Sequence, residues 1–280
     1  MSIAITGATG HLGRLALAAL KSRAPGAEVI ALARNSDADL GVPVRAFDYT
    51  RPETLVPALT EVETLVLISS NDFNDRAGQH KAVIDAAKAA GVERIVYTSL
   101  LKGDTSPMIL AQDHIATEAY LAASGLAHTV LRNGWYTENH TGSLAGAIAA
   151  GALIGASGEG RIASAARADY AEAIAVTALD AAHSGKVYEL AGDAAPTMAE
   201  FAAEVSRQIG KPLPYNNLPP DTYAGILQGF GLPEGFANIL ADSDVQASKG
   251  ALFDDSHTLS ALIGRPTTPV AATIAAALAG

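Results

Sequence analysis

The 280-residue chain carries 19 Lys+Arg against 29 Asp+Glu, a formal charge of −10, and an acidic balance of this kind lacks the electrostatic footprint of a general nucleic-acid binder. It has no cysteine, so disulfide frameworks, thiolate metal sites and Cys nucleophiles are excluded, and redox chemistry has to come from a bound cofactor. A 49% hydrophobic composition without any apolar run near the ~20 residues of a membrane helix, together with a strand that begins by residue 3, reads as a compact cytoplasmic protein with no signal peptide.

The β-branched run Ile3 to Ile5 leads directly into Gly7-Ala8-Thr9-Gly10-His11-Leu12-Gly13. This Gly-x-x-Gly-x-x-Gly turn opens an apolar stripe at Leu12, Leu15, Ala16, Ala19 and Leu20, the order of first strand, phosphate turn and first helix in a dinucleotide-binding unit. Gly7 permits the sharp turn and Gly10 leaves bare backbone where a pyrophosphate approaches the helix N-terminus. Gly13 lets helix and strand pack closely. The second strand, Glu28 to Ala33, ends at Arg34 with no carboxylate at its tip. A cation there suits the 2′-phosphate of NADPH, where an acid would suit the free ribose hydroxyl of NADH.

Pro43 to Phe47 reads as a third strand. Thr50-x-x-Glu53 has capping-box spacing with Pro52 in the first turn, which predicts a helix to about Leu59. Thr64 to Ile68 is a continuous apolar run of the kind buried on both faces of a parallel sheet, and it opens into the polar Ser69-Ser70-Asn71. A helix over 76–90 stopped by Gly91, a strand from Arg94 to Tyr97, a helix over 111–123 and a strand from His128 to Leu131 follow. This alternation predicts an α/β, Rossmann-like doubly wound parallel sheet over residues 1–140. Further on, Gly151 to Gly160 reads as a loop, Asp169-x-x-Glu172 starts a helix to about Ala182, and Lys186 to Leu190 is a strand, so residues 161–190 return to the sheet. Thr197-x-x-Glu200 starts a helix to Ile209. The remainder of 141–280 reads as a smaller, mostly helical C-terminal lobe covering the strand ends, with Tyr223, Leu227 and Phe230 on one helix.

Short-chain dehydrogenases that act on alcohols use a tyrosine whose pKa is lowered by a lysine four residues later. The positions four beyond the eight tyrosines hold Glu53, Leu101, Ser124, His140, Ile174, Gly192, Pro219 and Leu227, none of them lysine. An alcohol/ketone couple is therefore disfavoured. The histidines show no metal-ligand spacing.

The runs Ile5-Thr-Gly-Ala-Thr-Gly10, Tyr97-Thr-Ser-Leu-Leu101, Leu131-Arg-Asn-Gly-Trp-Tyr136, Arg167-Ala-Asp-Tyr170, Val187-Tyr-Glu-Leu-Ala-Gly192 and Ser248-Lys-Gly250 resemble the bacterial type 2 NADPH:quinone oxidoreductases, a branch of the NmrA-like atypical short-chain dehydrogenases. The resemblance covers nearly the whole chain and implies a flavin-free NADPH site. Gly7, Ala8, Thr9, Gly10, His11 and Leu12 would meet the pyrophosphate and Arg34 the 2′-phosphate. Ser69, Ser70 and Asn71 would lie on the adenosine side, and Asn133, Gly134, Trp135, Tyr136, Thr137 and Glu138 near the nicotinamide. The small-molecule partner implied is a quinone, reduced to its hydroquinone. Aromatisation drives that reaction, and a phenolate with a pKa of about 10 can take its proton from water, so a positioned acid is optional. The catalytic candidates are Trp135 and Tyr136 as ring platform and His114 as a donor to a quinone oxygen; a core aromatic and a structural imidazole are the plainer alternatives. Isoflavone-reductase-like cousins carry a lysine near the start of the helix after the fifth strand, where this chain offers Gln112, His114 and Glu118. Two rivals share the layout: an NmrA-type regulatory protein that senses NADP without turnover, and a triphenylmethane-type dye reductase. No metal, nucleic-acid or membrane partner is implied, and a homo-oligomer fits the reading.

Overall fold

The computed structural model describes residues 1–280. In chain order its elements are β1 (Ser2–Ile5), α1 (His11–Arg23), β2 (Glu28–Ala33), β3 (Val44–Ala46), α2 (Leu55–Ala58), β4 (Thr64–Leu67), α3 (Arg76–Ala90), β5 (Arg94–Leu100), α4 (Gln112–Ala123) and β6 (Ala127–Asn133). There follow α5 (Thr137–Thr141), α6 (Leu144–Ala150), β7 (Leu153–Gly155), α7 (Arg167–Leu179), β8 (Val187–Leu190), α8 (Met198–Ile209), β9 (Tyr215–Asn217), α9 (Pro220–Gly229), α10 (Glu234–Ser248), α11 (Thr258–Ile263) and α12 (Val270–Ala279). The chain divides into two compact units. The first holds residues 1–103, 113–133 and 167–188; the second holds 104–112, 134–166 and 189–280.

A seven-stranded sheet in the order β3-β2-β1-β4-β5-β6-β8 organises the first unit. The chain starts in the middle, winds outward to β3, then returns to β4 on the other side of β1, so the strand order reverses between β1 and β4. In an open α/β sheet that reversal leaves a crevice at the strands' carboxyl ends. The pairs from β3 across to β6 are all parallel, with Ile3 level with Val29 on one side and Thr64 on the other. Strands buried on both faces need apolar side chains throughout, which is why Ile3, Ala4, Ile5, Leu65, Val66, Leu67, Ile95 and Val96 are all sealed from solvent. Ala4, Leu32, Leu65, Val83, Ile84, Ala87, Ile95 and Tyr97 belong to a single core cluster. Opposite it, α1 packs against α7, and the buried Arg94 guanidinium donates to the carbonyl oxygens of Thr177 and Ala178 at the end of α7, at 2.6 and 2.7 Å.

Local chemistry sets the element ends. Gly91 closes α3 in the left-handed region at φ 78°, as the sequence predicts. Thr197 and Glu200 form a complete capping box on α8. Thr50-x-x-Glu53 does not: Asp48 Oδ1 accepts from both the backbone N–H and the hydroxyl of Thr50, while Glu53 pairs with Arg51. The expected helix is reduced to a 3₁₀ turn, Pro52–Thr54, and the single turn of α2. An Asx turn satisfies the backbone locally and removes the hydroxyl from the cap.

The second unit is mostly helical, with a two-stranded parallel sheet of β7 and β9. Strand β7 lies within 151–160, a stretch that reads as loop in the sequence. Its register with β9, Leu153 on Tyr215 and Gly155 on Asn217, is set by a partner sixty residues downstream rather than by local pattern. No helix of the protein is long and apolar enough to cross a membrane.

Candidate active site

The glycine turn sits where β1 emerges between β2 and β4. Thr6, fully buried, accepts the Ile68 N–H at 2.9 Å through its hydroxyl oxygen and so ties the end of β1 to the segment after β4. Gly7 then turns at φ +60°, a conformation that costs other residues about 1–2 kcal/mol. A Cβ on Gly13 would lie 2.2 Å from the Gly7 carbonyl oxygen and 2.8 Å from Ala8 Cα, so only glycine allows α1 to approach the turn this closely. At Gly10 the nearest atom to a Cβ is the Gly7 oxygen at 3.2 Å, and the residue faces solvent with Thr9 and His11. Gly10 caps α1 without any side-chain hydrogen bond, leaving the first-turn N–H groups and the positive end of a 13-residue helix open to an anion. Ala8 and Leu12 are buried beneath the turn.

Arg34 follows β2 as an exposed guanidinium outside every ion pair. The sequence places no carboxylate at this strand tip, but the fold brings Asp48 near it. The Thr50 backbone hydrogen bond is the main influence holding Asp48 below the usual carboxylate range, with Arg34 contributing electrostatically.

After β4, Ser69 donates its backbone N–H to the Thr98 hydroxyl at 3.0 Å, whereas its own Oγ is buried without a partner. An orphaned hydroxyl beside a bare glycine turn fits a ligand that supplies the missing hydrogen bond. Ser70 is committed to the protein: its Oγ donates to Gln79 and accepts from the Asp72 N–H, and its carbonyl oxygen accepts from Arg76 Nε at 2.8 Å. Asn71 is exposed. At the end of β6, Asn133 is buried and its carbonyl oxygen accepts from Leu101 N at 2.9 Å.

His114 lies at the start of α4, sealed but for a small fraction of its surface, with Nδ1 2.8 Å from the Tyr97 hydroxyl. Tyr97 is fully buried on β5, and His80 of α3 sits on its other side, Nδ1 at 3.4 Å. The sequence missed His80 and its neighbours Arg76 and Gln79. The signal was present: these polar residues occupy the inward stripe of α3 that Val83, Ile84 and Ala87 continue. Burial, assisted by the Arg76 charge, holds both imidazoles down at about 3, so both rings are neutral near pH 7. Burial pushes the Tyr97 hydroxyl well above its ordinary range. About one helical turn further along α4, Glu118 takes a bidentate hydrogen bond from Arg132 at 2.7 and 3.1 Å and a further one from Ser99. Tyr120 meets a lysine through the fold. Lys81 stacks on its ring at 5.0 Å while its hydroxyl donates to Asp85, an arrangement unlike an acid/base pair.

The second unit holds Gly134 to Glu138. Gly134 N donates to Leu190 O at 2.7 Å, Ala165 N donates to Trp135 O at 3.1 Å, and Tyr136 bridges Ala165 in parallel. Thr137 is buried with its hydroxyl on Ser164 at 3.1 Å, and it opens the short α5, which carries Glu138 in its first turn. Trp135, Tyr136 and Glu138 are half-buried. Elsewhere in this unit Asp244 accepts the Ala156 N–H at 2.7 Å, and burial pushes its carboxyl up to about 6.

A parallel sheet that reverses its order beside a three-glycine turn, with an exposed cation at the next strand tip, defines a dinucleotide-binding α/β protein. Residues 7–182, more than half the chain, match a family model described as NAD(P)H-binding. The chain is 53% identical over 277 residues to quinone oxidoreductase 2 of Escherichia coli strain K12, an alignment covering 97% of each protein. It superposes on the crystal structure of an NADPH-dependent quinone oxidoreductase from Escherichia coli in complex with NADPH with a TM-score of 0.94 at 52% identity, covering 99% of both chains. The triphenylmethane reductase of Citrobacter sp. complexed with NADP(H) gives a TM-score of 0.91 at 34% identity, over 98% of this chain and 99% of that one. The chain belongs to the NAD(P)H-binding family and, within it, to the family of quinone oxidoreductase 2.

Proposed function

We propose that this protein is an NADPH-dependent, flavin-independent reductase that reduces quinones to hydroquinones. The observation that carries the reading is 53% identity to quinone oxidoreductase 2 along 97% of both chains, since identity of this level sustained over the full length supports a shared layout in each unit. NADPH, when bound, supplies a hydride from its nicotinamide ring. The chain's own part is to bind, orient and screen.

In this reading Gly7, Ala8, Thr9, Gly10, His11 and Leu12 present backbone N–H groups to the pyrophosphate. Arg34 meets the 2′-phosphate, an exposed cation with no competing ion pair. Ser69 offers its orphaned hydroxyl, with Ser70 and Asn71 beside it on the adenosine side. Asn133, Gly134, Trp135, Tyr136, Thr137 and Glu138 serve the nicotinamide, with Trp135 and Tyr136 supplying flat apolar surface to a quinone ring. The absence of a lysine four residues after any tyrosine is no obstacle, because a hydroquinone anion is protonated readily by water.

The 34% identity to triphenylmethane reductase supports a second acceptor class, cationic dyes, on the same hydride chemistry. Purified protein freed of flavin is mixed with NADPH and either 1,4-benzoquinone or a triphenylmethane dye, and nicotinamide absorbance is followed. Faster turnover with the quinone is expected. Turnover of the dye alone would replace the substrate, and binding of NADPH without turnover of either would favour a sensor.

A further inference from the structure

The network around Tyr97 does more than fill the core: its hydrogen bonds fix where every proton lies. The Ser70 backbone N–H donates to Nε2 of His80 at 3.0 Å, so the neutral His80 ring carries its proton on Nδ1. That Nδ1–H faces Thr117 Oγ1 at 3.0 Å. The Thr117 hydroxyl donates its own hydrogen to the Asp113 carbonyl at 2.7 Å, which leaves its oxygen to accept. On the His80 side Nδ1 already bears a proton and cannot accept from Tyr97, and the Thr117 oxygen there already takes that proton. The Tyr97 hydroxyl hydrogen goes to His114 Nδ1, 2.8 Å away. With Nδ1 accepting, the one proton of a neutral His114 sits on Nε2.

Nε2 of His114 takes no partner from the protein, and it is not among the sealed, unpartnered polar atoms, so it keeps an accessible edge. The ring lies at the start of α4, His80 lies near the start of α3, the helix that follows β4, and Tyr97 is level with Leu67, the last residue of β4, so the network reaches the carboxyl side on which open α/β sheets bind ligands. A fixed N–H donor at that edge is preorganised for an oxygen that gains negative charge during reaction.

We propose that His80 and Tyr97 are positioning residues that hold the His114 ring with its proton on Nε2, and that this N–H meets the quinone oxygen on which negative charge develops. The assignment rests on the quinone-reductase reading. The quinone takes a hydride, two electrons with one proton, from NADPH, which leaves NADP⁺. The resulting hydroquinone monoanion takes its second proton from water. His114 keeps its proton throughout and acts as a hydrogen-bond donor to the anionic oxygen. The opposite tautomer would turn a lone pair toward that oxygen and oppose the charge.

The test combines ring nitrogen NMR with kinetics on the full chain saturated with NADP⁺ or NADPH. Long-range ¹H–¹⁵N spectra of wild-type protein, with the His114 signals identified by their loss in His114→Gln, are expected to show Nε2 protonated and Nδ1 accepting. Tyr97→Phe removes one oxygen from a buried ring of the same shape. It should leave His114 as a mixture of tautomers and lower kcat for 1,4-benzoquinone about tenfold, with KM for NADPH unchanged. His114→Ala should lower kcat by about 10²-fold, the scale of losing one oxyanion donor, and His114→Gln, which keeps an N–H, by less. A wild-type ring protonated on Nδ1 would overturn the relay. So would a Tyr97→Phe enzyme whose tautomer shifts while kcat holds, or one in which kcat and KM change together. A wild-type protein that turns over no quinone would overturn the reductase reading and the donor role, while the NMR spectrum would still decide the relay.

Discussion

Replacing Gly13 with alanine adds one methyl group at the closest backbone approach of the glycine turn. The new Cβ would sit 2.2 Å from the Gly7 carbonyl oxygen, where ordinary contact begins at 3.4 Å, and 2.8 Å from Ala8 Cα. Both obstacles are backbone, so relief requires α1 and the turn to separate by roughly 1 Å, and overpacking of this kind costs about 1–3 kcal/mol. At roughly 2–4 °C per kcal/mol in a chain of comparable size, the melting temperature should fall by about 2–12 °C. Gly10→Ala provides the contrast. Its Cβ meets only the Gly7 oxygen at 3.2 Å in the free protein, so unliganded stability should hardly change, but the methyl group would stand where the pyrophosphate approaches. Thermal unfolding with and without saturating NADPH separates the two effects, since a ligand at 100 times its Kd stabilises by about 2.7 kcal/mol. Gly13→Ala should melt early in the free form, and Gly10→Ala should lose the NADPH-induced rise. An unchanged melting temperature for Gly13→Ala would refute the close-approach argument. A full NADPH-induced rise in Gly10→Ala would refute phosphate contact at that residue.

Arg34→Ala should weaken NADPH by about 10–100-fold, the range of one charge-assisted phosphate contact of about 1.5–3 kcal/mol, and leave NADH nearly unaffected; equal losses in titrations with both nucleotides would remove Arg34 from 2′-phosphate recognition. Trp135→Ala should raise KM for 1,4-benzoquinone several-fold with little change in KM for NADPH, and unaltered quinone kinetics would count against the ring platform. Asp244 has a folded-state pKa of about 6 against about 3.9 in an unfolded chain, so its contribution to stability is present below pH 3.9 and lost as pH rises through 6. Asp244→Asn keeps an acceptor for the Ala156 N–H without the buried charge, and should raise stability by about 1–3 kcal/mol at pH 8 but little at about pH 3.5. Melts showing the same shift at both pH values would contradict that account.

The parallel sheet was legible because doubly buried strands write continuous apolar runs, as Thr64 to Leu67 and Ile3 to Ile5 do, and because Gly91 and the Thr197 cap mark helix ends by local chemistry. Strand β7 and the failed cap at Thr50 were not legible, since one depends on a distant partner and the other on competition from Asp48. The glycine turn and Arg34 could be read from spacing alone. The relay could not: Tyr97, His80 and His114 stand seventeen residues apart on three elements, and only the fold brings Nδ1 of one ring and a hydroxyl of another within 2.8 Å. Its trace in the sequence was subtler, a histidine and an arginine on the apolar stripe of α3.

The most direct test of the central claim is the rate of NADPH absorbance loss when flavin-free protein meets 1,4-benzoquinone, measured beside NADH, heat-inactivated protein and protein-free controls. Catalysed oxidation of NADPH above the spontaneous rate, with NADPH preferred over NADH, is the predicted result. NADPH that binds but oxidises no faster than in the controls would contradict it.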